Sequence, residues 1–341
     1  MKKYFVFFAC CLLTTAYSFF SSCSNPPDET NNHPVVNNTP SLPPAPKFNE
    51  DSTYTFVKTQ VDFGPRVPGT NSHAKCAEYL SSKLISFGWE TQIQNGNITT
   101  FDGKKFNLKN IIASYKPEIQ NRILLMSHWD TRPWADQDSV DNTKPAGGAD
   151  DGASGVGVLL EIARQFSISK PEVGVDIFLD DIEDYGQEQD DKRFPQQENT
   201  WALGTQYWAK NPHKPGYKAE YGILLDMVGA KDAIFPREGL SNESAPYVVK
   251  KIWNKAAHLG YSHHFVFQDI HGITDDHDYI ISNANIPCVD IVNWDFNINN
   301  FAFYHHRHSD NMNIIDKNTL KAVGQTVLEV VWEEQKAKAS P

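Results

Sequence analysis

Several hydrophobic runs in this chain end abruptly in acids and histidines. Ile123-Leu-Leu-Met126 leads into His128-Trp129-Asp130, and Val175-Asp-Ile-Phe-Leu179 leads into Asp180-Asp181-Ile182-Glu183-Asp184. Tyr221-Gly-Ile-Leu-Leu225 leads into Asp226, and between the first two lies the small-residue stretch Gly147-Gly148-Ala149-Asp150-Asp151-Gly152-Ala153-Ser154-Gly155. A further group, His305-His306-Arg307-His308-Ser309-Asp310, comes near the end. In open α/β sheets, ligand sites form beyond the carboxyl ends of the strands. Carboxylates and imidazoles gathered at one such edge describe a divalent-metal site, with zinc the best match to mixed nitrogen and oxygen donors.

The remaining pattern supports such a sheet. Ser72 to Phe87 reads as a helix, with Ala77, Leu80, Leu84 and Phe87 on one face and Gly88 as its stop. Strands are expected at about 89–98, 106–115, 121–127, 174–180 and 220–228, and shorter ones at 264–267 and 287–292. Helices are expected from Gly155 to Phe166, at about 200–210, from Pro246 to Leu259 and from Asp316 to about Lys336. Alternating strands and helices predict an α/β domain: a mostly parallel central sheet with helices on both faces. Gln187–Asn199 is polar and reads as a surface loop beside the site. Trp129, Trp134 and Trp294 fall near the same edge, where each could equally be core.

The first residues do not belong to that domain. Lys2 and Lys3 precede a mostly apolar stretch from Tyr4 to Phe20, the pattern of an export signal. Ser21-Ser22-Cys23-Ser24 follows and resembles a bacterial lipoprotein processing site, with Cys23 as the lipid-bearing residue; an ordinary signal cleaved nearby, or an uncleaved anchor, are the alternatives. The apolar run is short for a spanning helix. Residues 23–47, rich in Pro and Asn, read as a tether. The expected organisation is thus a signal peptide over 1–22, a tether over 23–47 and one globular domain over 48–341. The chain would be exported and held at the periplasmic side of a membrane, in a Gram-negative bacterium. A formal net charge of −11 argues against a nucleic-acid partner. Cys76 and Cys288 read as two buried thiols, although an oxidising compartment would permit a disulfide. Nothing in the sequence fixes the oligomeric state.

Each acidic motif has a bland reading beside its functional one. Asp151 could reach inward from a helix start or simply cap the helix. In Glu183-Asp184, one carboxylate could bind metal while its neighbour moves protons, or the pair could be an acidic turn. Asp226 ends a strand too apolar to expose freely and needs a partner. Asp275-Asp276-His277-Asp278 could be a second acid/imidazole cluster or a helix N-terminus crowded with acids. Of His305, His306 and His308, a zinc ion would take one.

Taken in order, these motifs resemble the zinc aminopeptidase clan, and within it the animal-type glutaminyl-peptide cyclotransferases, also called glutaminyl cyclases, which have bacterial relatives. Leu224-Leu-Asp226-Met-Val-Gly-Ala230 resembles that family's Leu-Leu-Asp-Leu-Ile-Gly-Ala, and Ile273-Thr-Asp275-Asp276-His277 its Ile-x-Asp-Asp-His. The likeness runs from about residue 50 to 335. It implies one zinc per chain on Asp151, Asp184 and His306, with Glu183 as acid/base and Asp226 and Asp275 as hydrogen-bonding acids around it. Phe301 and Ile273 match walls of the substrate pocket. The implied reaction closes an N-terminal glutamine of a peptide to pyroglutamate and releases ammonia.

The chain departs from that pattern in three places. Asp184 stands where the animal enzymes have Glu, so the metal must sit closer to that strand. His305 replaces a Trp, and the Gln187–Asn199 insertion has no counterpart to a Trp-bearing segment. His305 and His308 remain alternatives to His306. A zinc aminopeptidase is the competing reading, because His128 and Asp226 could hold a second ion with Asp151 bridging. A third is a surface-binding lipoprotein that kept the fold without the metal.

Overall fold

The structure, a computed structural model, describes residues 43–338. The export signal, Cys23 and the tether up to residue 42 lie outside the described residues. The last part of the expected tether is instead docked on the domain. Trp332 Nε1 donates to the Pro43 carbonyl (2.8 Å) and Gln325 Nε2 to that of Pro46 (3.2 Å). The Phe48 amide donates to Gln325 Oε1 (2.8 Å) and its ring lies buried against Gly324. Proline carbonyls and one aromatic ring are enough to hold a segment that composition alone marks as linker.

In chain order the elements are helices α1 (Glu50–Asp62) and α2 (Asn71–Ser86), strands β1 (Glu90–Thr99), β2 (Lys105–Tyr115) and β3 (Arg122–His128), then α3 (Ala153–Ser169). These are followed by β4 (Gly174–Asp180), α4 (Leu203–Lys210), β5 (Tyr221–Asp226), β6 (Phe235–Arg237), α5 (Gly239–Ser244) and α6 (Pro246–His258). The chain closes with β7 (Phe265–Asp269), α7 (Asp276–Ala284), β8 (Cys288–Val292), β9 (Trp294–Asp295), β10 (Asn300–Phe301) and α8 (Lys317–Lys338). Side-chain caps set two of the early helix starts: Asn49 accepts from the Ser52 amide and Thr70 from the His73 amide.

The central sheet has strand order β1-β2-β4-β3-β5-β8. The pairs β3·β4, β3·β5 and β5·β8 are parallel, while β1·β2 and β2·β4 are antiparallel. The expected α/β fold is therefore present as a mixed sheet whose site-bearing half is parallel. Every residue of β3, β4 and β5 is buried, as parallel strands covered on both faces require. Edge strand β1, by contrast, is largely exposed and presents Gln and Asn side chains to solvent. The strand expected at 264–267 forms as β7, but it pairs with β6 outside the central sheet. Helix α1 went unread because Thr and Gln occupy much of its buried stripe. Cys76 and Cys288 are both buried free thiols, so the domain carries no bridge between them.

Because β3, β4 and β5 run parallel, their final residues His128, Asp180 and Asp226 fall on one edge of the sheet. The loops that follow them build the site.

Candidate metal and proton-transfer site

A cleft of about 650 Å³ opens at this edge, and its walls include Asp151, Glu183, Asp184, Asp226, Asp275, Phe301, His305 and His306. Asp151 is not a helix cap. Gly152 holds the cap position of α3, and the Asp151 carboxylate turns instead to His128 Nε2 (3.0 Å). Its loop is held from three sides. The Arg66 guanidinium donates to the carbonyls of Gly147 (2.9 Å) and Gly148 (2.6 Å). Asp310 accepts the amides of Asp150 (2.7 Å) and Asp151 (3.2 Å). Asp150 in turn accepts from the Gly229 amide (2.6 Å) and the Tyr304 hydroxyl. Glycine is required at 152 because a Cβ there would lie 2.3 Å from the His128 carbonyl oxygen.

The Glu183-Asp184 pair is fixed through its backbone. Asp130, buried two residues beyond β3, accepts the amides of Glu183 (3.1 Å) and Asp184 (3.3 Å). Both side chains are thereby freed to face the cleft. His306 Nε2 lies 3.0 Å from Asp184 Oδ1, yet neither Asp184 oxygen has a hydrogen-bond donor. Burial and the nearby Asp151 charge push the Asp184 carboxyl up to about 6. Donor atoms of Asp151, His305 and His306 converge within 4.8 Å of one another. Two buried acids of like charge, donorless oxygens and a facing imidazole form a site that a cation would satisfy. The donors are carboxylate oxygen and imidazole nitrogen, which suits zinc. His308, by contrast, pairs with Asp138 (2.9 Å) on the outer side of this segment.

Glu183 sits beside this donor set. Burial raises its carboxyl well above the ordinary range, and the charges of Asp184, Asp276 and Asp275 act in the same direction, against the opposing pull of His128. Its Oε2 is 3.9 Å from His128 Nδ1. Asp226 contacts His128 Nε2 (3.3 Å). Asp275 both lines the cleft and caps α7, accepting the Asp276 amide (2.5 Å). The crowded-helix-start reading and the acidic-cluster reading of this motif are thus both realised by one residue. His128, Asp151 and Asp226 also bring donor atoms within 4.8 Å.

The expected pocket residues separate. Phe301 lines the cleft, packed on Trp294 (5.6 Å) and His305 (4.7 Å). Ile273 packs inward with Met227, Val292 and Trp294, and its neighbour Thr274 faces the cleft instead. The Ile273 amide donates to Glu238 Oε1 (3.0 Å), which anchors the backbone just before α7. His305 stacks on His306 at 3.6 Å, and burial together with its neighbour's charge holds its imidazole well below the usual range. Of the tryptophans read near the edge, Trp129 stacks on His73 in the core (4.4 Å). Trp201 went unnoticed: it lines the cleft and lies parallel to the His306 ring at 5.8 Å. Arg132 and Asp136 were also missed, because neither ends a hydrophobic run.

A mixed α/β sheet with carboxylate and imidazole donors at the carboxyl edge of its parallel strands defines a metallo-exopeptidase-like protein. Residues 110–331 match peptidase family M28. The chain belongs to that family. It is similar in structure to a Zn-dependent exopeptidase from Parabacteroides distasonis, with a TM-score of 0.82 and 49% identity, covering 84% of this chain and 99% of that one. A glutaminyl cyclase from Bacteroides thetaiotaomicron, solved with N-acetylhistamine, matches with the same TM-score, identity and coverage. The glutaminyl-peptide cyclotransferase of Drosophila melanogaster is 24% identical over 214 residues, 59% of this chain and 56% of that protein. The chain thus spans about half the length of this curated relative.

Proposed function

We propose that this protein is a zinc-dependent glutaminyl-peptide cyclotransferase acting on peptides and proteins that begin with glutamine. The observation that carries this reading is the second layer of the site. Glu183, with a carboxyl raised by burial and by the charges of Asp184, Asp276 and Asp275, lies in the same cleft as Asp226 and the metal donors. The likeness to the Bacteroides and Drosophila enzymes supports it.

Asp151, Asp184 and His306 would hold the zinc, with His305 adjacent. Bound there, zinc supplies Lewis-acid polarisation of a carbonyl oxygen. The α-amine nitrogen of the substrate forms a bond to its own γ-carbonyl carbon, and the bond from that carbon to the amide nitrogen breaks. Glu183 takes the proton shed by the attacking amine and returns it to the departing ammonia. A carboxyl whose proton affinity is raised by burial suits both halves of that exchange. Asp226 and Asp275 keep the surroundings of Glu183 acidic, and Phe301 with Trp201 gives the cleft apolar walls for the two methylenes of the glutamine side chain.

Incubation with a Gln-initiated peptide should release ammonia and consume the free amine, and a chelator should stop both. Release of free amino acids from unrelated peptides instead would sink this reading in favour of a zinc aminopeptidase. That second reading draws on the convergence of His128, Asp151 and Asp226 and on the likeness to the Parabacteroides exopeptidase. Zinc content separates the two, one ion per chain for the cyclotransferase and two for a co-catalytic peptidase site.

For its location, the sequence around Cys23 supports an exported, lipid-anchored protein on the periplasmic side of a membrane. Labelled palmitate should enter the wild-type chain and not the Cys23→Ala variant.

A further inference from the structure

His306 has a built acceptor behind it. Its Nε2 faces Asp184, while its Nδ1 lies 3.3 Å from Asp136 Oδ1 and 3.5 Å from Glu188 Oε1. Nδ1 and Asp136 Oδ1 are both buried and neither makes a hydrogen bond, so the 3.3 Å contact sets two unsatisfied polar atoms against each other. The other Asp136 oxygen is anchored by three donors: Arg132 Nε (3.1 Å), Arg132 Nη2 and Trp134 Nε1 (2.9 Å). The same guanidinium sends Nη1 to the carbonyls of Asp184 (2.9 Å) and Gly186 (2.8 Å) and lies over the Trp201 ring at 4.6 Å. Trp201 in turn lies parallel to the His306 ring, 12° between planes. One buried arginine therefore ties the backbone of one donor residue to the acceptor behind another.

A metal-binding imidazole must present a lone pair at one nitrogen and a proton at the other, and the acceptor behind the ring chooses which. We infer that Asp136, anchored by Arg132 and Trp134, accepts the Nδ1–H of His306 and so fixes the tautomer and ring plane that aim Nε2 at the metal. Asp136 acts here as a positioning residue, meeting His306 at Nδ1 while Nε2 faces Asp184. Glu188, from the polar loop after β4, is a weaker second acceptor: its contact is longer, and Arg132 Nη2 reaches it only at 3.9 Å. The loop inserted at Gln187–Asn199 thereby acquires a role in the site. The inference rests on His306 as a zinc ligand and is independent of which reaction the zinc serves.

The test is zinc affinity, measured on the full chain by competition with a chromophoric chelator. Asp136→Asn should weaken zinc by about 10- to 100-fold, the usual cost of losing such a partner, and Glu188→Gln should weaken it less. His306→Ala is the control. If it keeps wild-type affinity, the ligand assignment fails. If it loses zinc while folded Asp136→Asn keeps it, only the role of Asp136 fails. A larger loss in Glu188→Gln than in Asp136→Asn would also overturn the assignment. A second readout follows the imidazole proton itself. In the cobalt(II)-substituted wild type, a strongly shifted imidazole N–H proton that vanishes in His306→Ala should exchange slowly with water. Fast exchange of that proton overturns the hydrogen bond, and faster exchange in Asp136→Asn than in wild type supports it.

Discussion

The Asp310 carboxylate accepts the backbone amides of both Asp150 (2.7 Å) and Asp151 (3.2 Å), across a separation of about 160 residues in sequence. The spacing from His306 to Asp310 thus links two halves of one site: the imidazole reaches the cleft while the acid four residues later braces the loop that supplies Asp151. In Asp310→Ala two buried amides lose their acceptor, at roughly 1–3 kcal/mol each. Urea denaturation should show a loss of a few kcal/mol, and zinc should bind more weakly. A variant as stable as wild type and with full zinc affinity would show that the loop holds without this brace.

Separate losses are expected from the two members of the acid pair. Glu183→Gln should retain zinc and lose about 10²- to 10⁴-fold in kcat, the usual worth of a positioned acid/base. Asp184→Asn should lose zinc itself. Metal analysis beside steady-state kinetics distinguishes them, and equal zinc loss in both would make Glu183 a ligand.

Removing the metal should destabilise the fold as well as silence it, because Asp151 and Asp184 then face each other without a cation. By mass action, an ion present at 1,000 times its dissociation constant adds about 4 kcal/mol. Calorimetry should therefore show a lower Tm after chelation and recovery on adding zinc. An unchanged Tm would mean that the donors are satisfied without the ion.

Away from the metal, Glu238 should give the protein an acid limb. Burial pushes its carboxyl up, but the His277 imidazole and the amides of Ser241 and Leu240 outweigh that and hold it at about 2, below the ordinary 4.5. The folded form therefore binds this proton less readily than the unfolded form. The resulting stability is complete above about pH 4.5 and fades as the pH falls toward 2. The difference corresponds to about 3 kcal/mol. Glu238→Gln should be less stable at neutral pH, with the gap to wild type closing near pH 2.5. A gap independent of pH would assign the residue a packing role alone.

Trp201→Ala should open one wall of the cleft and leave the His306 ring uncovered on that side. Initial rates over a range of peptide concentrations should show a lower kcat/KM, and identical kinetics would place the substrate elsewhere.

The sheet was legible because β3, β4 and β5 are buried, largely apolar runs that end in His128, Asp180 and Asp226, a pattern visible in composition and position together. Asp151 stood out from its small-residue context, but Asp184 and His306 lie in polar runs that offer several donors, and only the resemblance to the cyclotransferases singled them out. Arg132, Asp136 and Trp201 were marked by neither. They lie in loops without periodicity, and their importance comes from contacts across the fold, such as Arg132 with the carbonyl of Asp184. The docking of Pro43 to Phe48 on α8 was hidden for a related reason: carbonyl acceptors leave no mark in side-chain composition. Ile273 and Thr274 show the limit most sharply. They are neighbours, and which of them turns inward depends on backbone anchors such as the Ile273 amide on Glu238, which the sequence does not display.

His306 sits at a φ of 54°, a left-handed backbone setting that glycine or asparagine adopts more cheaply. Selection for stability alone would drive that position toward one of those residues, and the chain keeps an imidazole there. A substitution to Asn could therefore relax the backbone while removing the imidazole proposed to hold the metal. Stability screens run on this protein would then tend to enrich an inert form, and any programme to harden it should hold position 306 fixed while improving residues far from the cleft.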